Sequence, residues 1–175
     1  KTAYEIRLSL VGSEMCIRDR YQEEKNIRPL YDRLENVIGA LPQFHWEYLF
    51  VNDGSRDRSF EVLRGLAEKD SKLKVLNLTR NFGKEIALSA GAHAANGDAI
   101  ICIDADLQHP PDLIKEMAAE WQGGADVVIA VRQSTVREPL MRRLGSYLFY
   151  KMMAWTTGLE LTPGTTDFRL IDKKV

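Results

Sequence analysis

Asp104 and Asp106, with Gln108 two positions further on, are the residues of this 175-residue chain whose types and spacing could do chemistry. They follow the apolar run Ala99 to Ile103, which is short, β-branched and continuous, and which predicts a strand covered on both faces by helices. In extended chain two residues separated by one point to the same side, so the two carboxylates are expected a few Å apart. Carboxylates that close repel each other unless a cation lies between them, and a hard divalent ion with oxygen ligands is the natural third party. Gln108 continues the alternation and offers an amide oxygen to the same ion. The alternative is a polar loop that caps a helix starting after Pro110, with Asp112 in its first turn.

The elements that must position these groups follow from periodicity. A helix opens at Tyr21-Gln22-Glu23-Glu24 and runs to about Ile38, with Ile27, Leu30, Leu34, Val37 and Ile38 on one face. Strands are predicted over Glu47 to Asn52, Leu73 to Leu78, Ala99 to Ile103 and, as one more buried strand, Asp126 to Val131. Helices are predicted over Ser59 to Lys69, burying Phe60, Leu63, Leu66 and Ala67, over Glu85 to Ala95, and from Pro111 to Trp121 through Leu113, Ile114 and Met117. This alternation of strand and helix implies a mostly parallel sheet in a three-layer α/β sandwich. Ligands of such sheets sit at the carboxyl ends of the strands. Tyr21 to Glu24, Asp53 to Asp57, Asn81 to Glu85, Asp104 to Gln108 and Arg132 all follow strand ends or expected strand ends. Asp53 in its DGS turn could equally be structural, and NFGK a simple helix entry. Neither G-x-G-x-x-G nor G-x-x-x-x-G-K-[ST] occurs, which removes the main support for dinucleotide and P-loop readings. A nucleoside diphosphate held through a divalent cation, with Lys and Arg close by, would satisfy the charges.

Composition bounds the rest. The chain is 45% hydrophobic and 28% charged, with a formal net charge of -1, enough for one domain with a core. No apolar run reaches the roughly 18 residues that span a bilayer, and no signal peptide is visible. Leu10 to Arg20, LVGSEMCIRDR, resembles a transposase sequencing adapter read as protein, and KTAYEI resembles the outer end of the same adapter. Residues 1–20 are therefore set apart from the fold as a library artefact, which leaves Cys102 as the lone cysteine and 21–175 as a partial domain. Within it, Tyr21 to Val131 carries 12 Lys and Arg against 18 Asp and Glu, whereas Arg132 to Val175 carries 8 against 4. The basic part contains Leu140, Leu144, Leu148 and Met152 at helical spacing with Arg142, Arg143, Lys151 and Trp155, a pattern suited either to an anionic bilayer surface or to ordinary packing on the sheet.

VNDGSRDRS, TRNFGKEIALSAG, DADLQHPP and TDFRLID, in that order, resemble the family-two inverting glycosyltransferases of the GT-A fold, most closely the polyprenyl-phosphate branch that includes the bactoprenol glucosyltransferases and dolichol-phosphate mannose synthases. The resemblance covers Tyr21 to Val175. It implies a GT-A-type Rossmann-like sandwich, truncated at both ends, and metal-dependent inverting transfer of a sugar from a nucleotide sugar, UDP-glucose above others, to a polyprenyl phosphate at the cytoplasmic membrane face. Tyr21, Glu23 and Glu24 would line the nucleotide pocket, Asp53 would read the nucleobase, and Lys84 and Asp104 would meet the nucleotide. Asp106 and Gln108 would ligate Mg²⁺ or Mn²⁺, Asp104 would lie nearer ribose and diphosphate, Arg132 would meet the phosphates, and Arg169 would sit on the acceptor side. Asp104, Asp106, Arg132 and Arg169 form the expected catalytic set. The resemblance also implies transmembrane helices beyond Val175, allows for a homo-oligomer of the full-length form, and gives no reason to expect a nucleic-acid partner.

Two departures from the pattern follow. Gln22 replaces an asparagine, and adapter-like sequence stands where the first strand should be, so that strand and part of the nucleotide wall are expected to be missing. The competing readings are a soluble transferase of the same fold with a hydroxyl acceptor, for which Asp167 is the early candidate base, and an inactive fragment. A Mg²⁺-binding receiver-type domain would also place carboxylates at strand ends, but it gives no reason for the NFGK, DADLQ and DFRL set.

Overall fold

A computed structural model describes residues 7–14, 23–131 and 165–175, with side chains over 24–131 and 166–175. The chain divides into two compact units, Lys1–Ile129 with Asp167–Val175, and Ala130–Thr166. Of the second unit the described residues are few; in it the Thr166 hydroxyl donates to the Ala130 carbonyl at 2.8 Å.

The elements run β1 (Arg7–Glu14), α1 (Glu23–Gly39), β2 (His45–Asn52), α2 (Ser59–Ala67), β3 (Leu73–Asn77), α3 (Lys84–Ala94), β4 (Ala99–Asp104), α4 (Leu113–Gln122), β5 (Val127–Val131) and β6 (Thr165–Asp172). They form a six-stranded sheet in the order β3-β2-β1-β4-β6-β5. β1 pairs in parallel with both β2 and β4, β2 pairs in parallel with β3, and β6 runs antiparallel to β4.

Strand alternation sends successive side chains to opposite faces. On one face Tyr48 meets Tyr31 of α1 edge to face at 5.6 Å. On the other, Leu49 and Val51 pack with Ala87 of α3, joined by Leu76, Leu88 and Ile100. The helical face expected of α1 is the one buried: Ile27, Leu30, Leu34, Val37 and Ile38 are all in the core. α2 buries Leu63 and Leu66 as expected, but Ser59 goes fully inside while Phe60 and Ala67 are only half-buried. α4 buries Ile114 and Met117 and extends the face to Ala118 and Trp121.

Two expectations are corrected. The first strand is not missing: Arg7–Glu14 occupies the centre of the sheet, with Val11 level with Leu49 on one side and Cys102 on the other. Without a strand there, the facing N–H and C=O groups of β2 and β4 would lack partners in the interior, and any extended segment that supplies them relieves that cost. The strand over Val127–Val131 is not buried, since Val127 is 42% and Ile129 43% exposed. It closes the sheet order, so it lacks a second neighbouring strand among the described residues.

Candidate active site

The carboxyl ends of β2 and β3 are stitched together by Asn52, whose amide donates to the Asn77 side-chain oxygen at 2.7 Å and whose carbonyl accepts from Leu78 N at 2.9 Å. Asp53 follows, fully buried, with its two oxygens accepting the main-chain N–H groups of Phe82 (2.7 Å) and Gly83 (2.8 Å). A buried carboxylate needs such donors, and both of these come from the NFGK loop. Gly54 takes φ +70°, and a Cβ there would lie 2.5 Å from the Arg80 carbonyl carbon, so only glycine allows the two loops to touch. Gly83, at φ 95°, then turns the chain into α3. Asp53 was expected to read a nucleobase; in this structure its carboxylate is turned inward and clamps the loop that carries Lys84.

Lys84 is the first residue of α3, and its side chain is 13% exposed. Its ammonium donates to Asp104 Oδ2 at 2.7 Å and to Asp167 Oδ2 in a second, very short contact. Burial works against the lysine charge, but the hydrogen bonds and charges of Asp104 and Asp167 outweigh it, and the pKa rises above the ordinary lysine value. Asp167 is correspondingly held below the usual carboxylate range by the Lys84 hydrogen bond, against burial, with smaller contributions from the charges of Lys84, Arg169 and His109. Arg169 lies 3.9 Å from Asp167, and its Nε is buried without a hydrogen-bond partner among the described residues. On β4 the residue level with Arg169 is Cys102. The His109 ring, on the loop after β4, stands 5.6 Å from that of Phe168, which brings this loop to β6.

Asp106 is arranged differently from the expectation. β4 ends at Asp104, and Ala105 and Asp106 belong to a turn, so the extended-chain argument for a matched carboxylate pair stops at Asp104. The first cation beside Asp104 is the protein's own lysine. Asp106 is exposed, and its Oδ1 accepts the Gln108 main-chain N–H at 2.9 Å, which fixes the direction of the carboxylate. Leu107 between them has φ 61°, an unusual conformation for a branched residue and one that tends to mark functional turns. Among the described residues no three His, Cys, Asp or Glu side chains are grouped to hold a metal ion. The donors at Asp106 and Gln108 are nonetheless hard oxygens on an exposed turn at a strand's carboxyl end. That chemistry fits Mg²⁺ or Mn²⁺, which is commonly held by one or two carboxylates plus substrate phosphates.

Glu24 is half-buried and lines a groove of about 560 Å³ between α1 and α2 with Lys25, Arg28, Glu61 and Glu68. Glu23 opens α1. Tyr21 and Arg132, like the basic helix expected over Glu138 to Trp155, lie outside the described residues. The structure thus brings together Lys84, Asp104, Asp167 and Arg169, with Asp53 supporting the loop beneath Lys84. The Lys84–Asp167 link was not expected, although a lysine in the first turn of a helix, against the dipole, is a signal that it has a partner elsewhere.

An α/β sheet with helices on both faces takes its ligands at the carboxyl ends of its strands, where this carboxylate-rich site lies. The chain belongs to glycosyl transferase family 2, whose model matches residues 20–175. It is 44% identical over 155 residues to an uncharacterized glycosyltransferase of Synechocystis, covering 89% of this chain and 48% of that protein. It is 37% identical over 155 residues to a prophage bactoprenol glucosyl transferase homolog of Escherichia coli, covering 89% and 50%. The chain therefore spans about half the length of these relatives. Its fold is that of the glucosyl-3-phosphoglycerate synthase of Mycobacterium tuberculosis, solved with Mn²⁺, UDP-glucose and phosphoglyceric acid, at a TM-score of 0.64 and 16% identity over 97% of this chain and 57% of that one. These relatives establish the GT-A fold and the transferase family.

Proposed function

We propose that the complete protein transfers a sugar, with inversion, from a nucleotide sugar to a polyprenyl phosphate at the cytoplasmic face of the membrane. UDP-glucose is the favoured donor, and the acceptor follows from the likeness to the bactoprenol glucosyl transferase homolog. The observation that carries the reading is the meeting of Lys84 with Asp104 at the carboxyl end of β4, with Asp106 exposed on the turn that follows, where sheets of this kind bind their ligands.

In this reading Asp106 and Gln108 hold a divalent ion, Mg²⁺ or Mn²⁺. Such an ion supplies positive charge for the departing nucleoside diphosphate. An oxygen of the lipid phosphate forms the new bond to the anomeric carbon as the bond from that carbon to the diphosphate breaks, and the electron pair leaves with the diphosphate. The attacking oxygen is already ionised near neutral pH, so no side chain has to remove a proton. Arginines are suited to bringing two phosphates together against their repulsion. Arg169 is the described candidate, while Arg132 and Arg137 lie outside the described residues. Among the described residues no helix is long and apolar enough to cross a membrane; in this reading the basic segment expected over Glu138 to Trp155, outside the described residues, would meet the membrane surface. The same reading takes residues 1–20 as foreign in sequence to the family, in keeping with the family match that begins at residue 20, with Arg7–Glu14 filling the place of a strand in the sheet.

The test is made with a chain completed to the length of its relatives, given radiolabelled UDP-glucose, undecaprenyl phosphate in liposomes and Mn²⁺. Label is expected in the lipid extract, and Asp106→Asn is expected to abolish it, because several kcal/mol of transition-state stabilisation are at stake. Near-normal turnover by the variant, or label passing only to soluble hydroxyl acceptors, would overturn the proposal.

A further inference from the structure

Lys84 is in the wrong place for its own helix. The N-terminus of a helix carries partial positive charge and favours anions, yet α3 begins with a lysine whose side chain is 13% exposed. Lysines are seldom so enclosed unless they are paired. Three distant stretches of chain converge to pair it: Asp104 ends β4, Asp167 sits near the start of β6, and Lys84 enters from the loop clamped by Asp53. Arg169 adds a second cation 3.9 Å from Asp167. Lys84 therefore does for Asp104 and Asp167 what a divalent ion would otherwise be needed to do.

The geometry points to Lys84 as a resident cation of the sugar-transfer site, a positioning residue that fills the space between Asp104 and Asp167 and so confines the exchangeable divalent ion to Asp106 and Gln108. This inference rests on the sugar-transfer reading for its purpose but not for its test. With the lysine in place, the site has fixed side-chain cations in Lys84 and Arg169 and one exchangeable divalent ion. Without it, the two carboxylates that now share an ammonium keep only Arg169, 3.9 Å from Asp167, as a neighbouring cation, and a hard divalent ion is the species that would join them.

The test is titration of the 175-residue chain with MnCl₂ alone, followed by calorimetry and by the electron-spin signal of free Mn²⁺. The wild type is expected to bind Mn²⁺ weakly. Lys84→Met should bind it more tightly, on the order of tenfold, because the charge of a ligand set governs divalent affinity. Lys84→Arg should match the wild type, and Lys84→Met combined with Asp167→Asn should lose the gain. If Lys84→Met does not fold, Lys84→Gln, which keeps a donor but no charge, answers the same question. A folded Lys84→Met or Lys84→Gln variant with wild-type Mn²⁺ affinity would overturn the proposal, since a merely structural lysine would change melting temperature and not metal affinity. UDP-glucose binding is measured separately on the completed chain, and its absence there would count against the sugar-transfer reading while leaving the Mn²⁺ comparison intact.

Discussion

Gly54 and Arg80 touch backbone to backbone: a Cβ on Gly54 would stand 2.5 Å from the Arg80 carbonyl carbon and 2.6 Å from Asn81 N. Main chain cannot move aside as a flexible side chain can, and φ +70° already disfavours any other residue. The contact sits directly above the Asp53 clamp, so the DGS turn and the NFGK loop form one unit.

Gly54→Ala is therefore expected to destabilise the chain by several kcal/mol, on the order of 3, combining backbone strain with displacement of the loop. Urea unfolding followed by tryptophan fluorescence measures the loss. A change under about 0.5 kcal/mol, the usual effect of a surface substitution, would show that the loops are not packed this way.

Asp172 yields a pH prediction. Its carboxylate, buried at the amino end of β4, accepts from the Trp121 indole at 2.8 Å and from Lys174 N at 3.0 Å. Burial alone would raise its pKa, but these donors and the Lys174 charge outweigh it and hold the group below the usual carboxylate range. The unfolded chain then takes up the proton first as the solution is acidified. The stabilisation is complete above the ordinary aspartate value of about 4 and is lost as pH falls through the lower folded value. Asp167 is lowered as well and acts in the same window. Asp172→Asn should cost about 2 kcal/mol at pH 7 and flatten the loss of stability on acidification below about pH 4. Urea midpoints across that range give the comparison, and an unchanged acid slope would refute the assignment.

Cys102 is 2% exposed in β4, and burial pushes its thiol up to about 11, partly offset by the neighbouring Arg169 charge. Thiolate is the reactive form. With Cys16 replaced by Ser, a disulfide reagent at pH 8 should leave the native chain unmodified over minutes and label one thiol at once in guanidinium. Rapid labelling of the native chain would mean that β4 opens far more readily than its central place implies.

Much of this fold is legible in local pattern. The apolar stripe of α1 and the short β-branched run of β4 each specify their element, because burial of one face or two dictates the period of the apolar residues. What could not be read locally depends on distant pairing. TDFRLID alternates as a strand should, but nothing in it says that it enters between β4 and β5 against the direction of β4. β5 closes the sheet order beyond it, and there an apolar run expected to be buried exposes Val127 and Ile129. By spacing alone the two aspartates of DAD are alike. They parted because the strand ends between them, with Asp104 on the ladder facing Lys84 and Asp106 on a turn that Leu107 completes at positive φ. Asp53 was ambiguous for a related reason, since a DGS turn does not reveal which loop 30 residues later will donate to its carboxylate.

The central placing of β1 gives the sheet a seam. β3 and β2 lie on one side of it, β4, β6 and β5 on the other, and no ladder joins β2 directly to β4. Asp53 belongs to the first half-sheet and Asp104 with Asp167 to the second, while Lys84, held by the first and bonded to the second, reaches across. The eight residues Arg7–Glu14 thus join the two half-sheets through a ladder on each side, and at the carboxyl ends the Lys84 ammonium adds a side-chain tie between them.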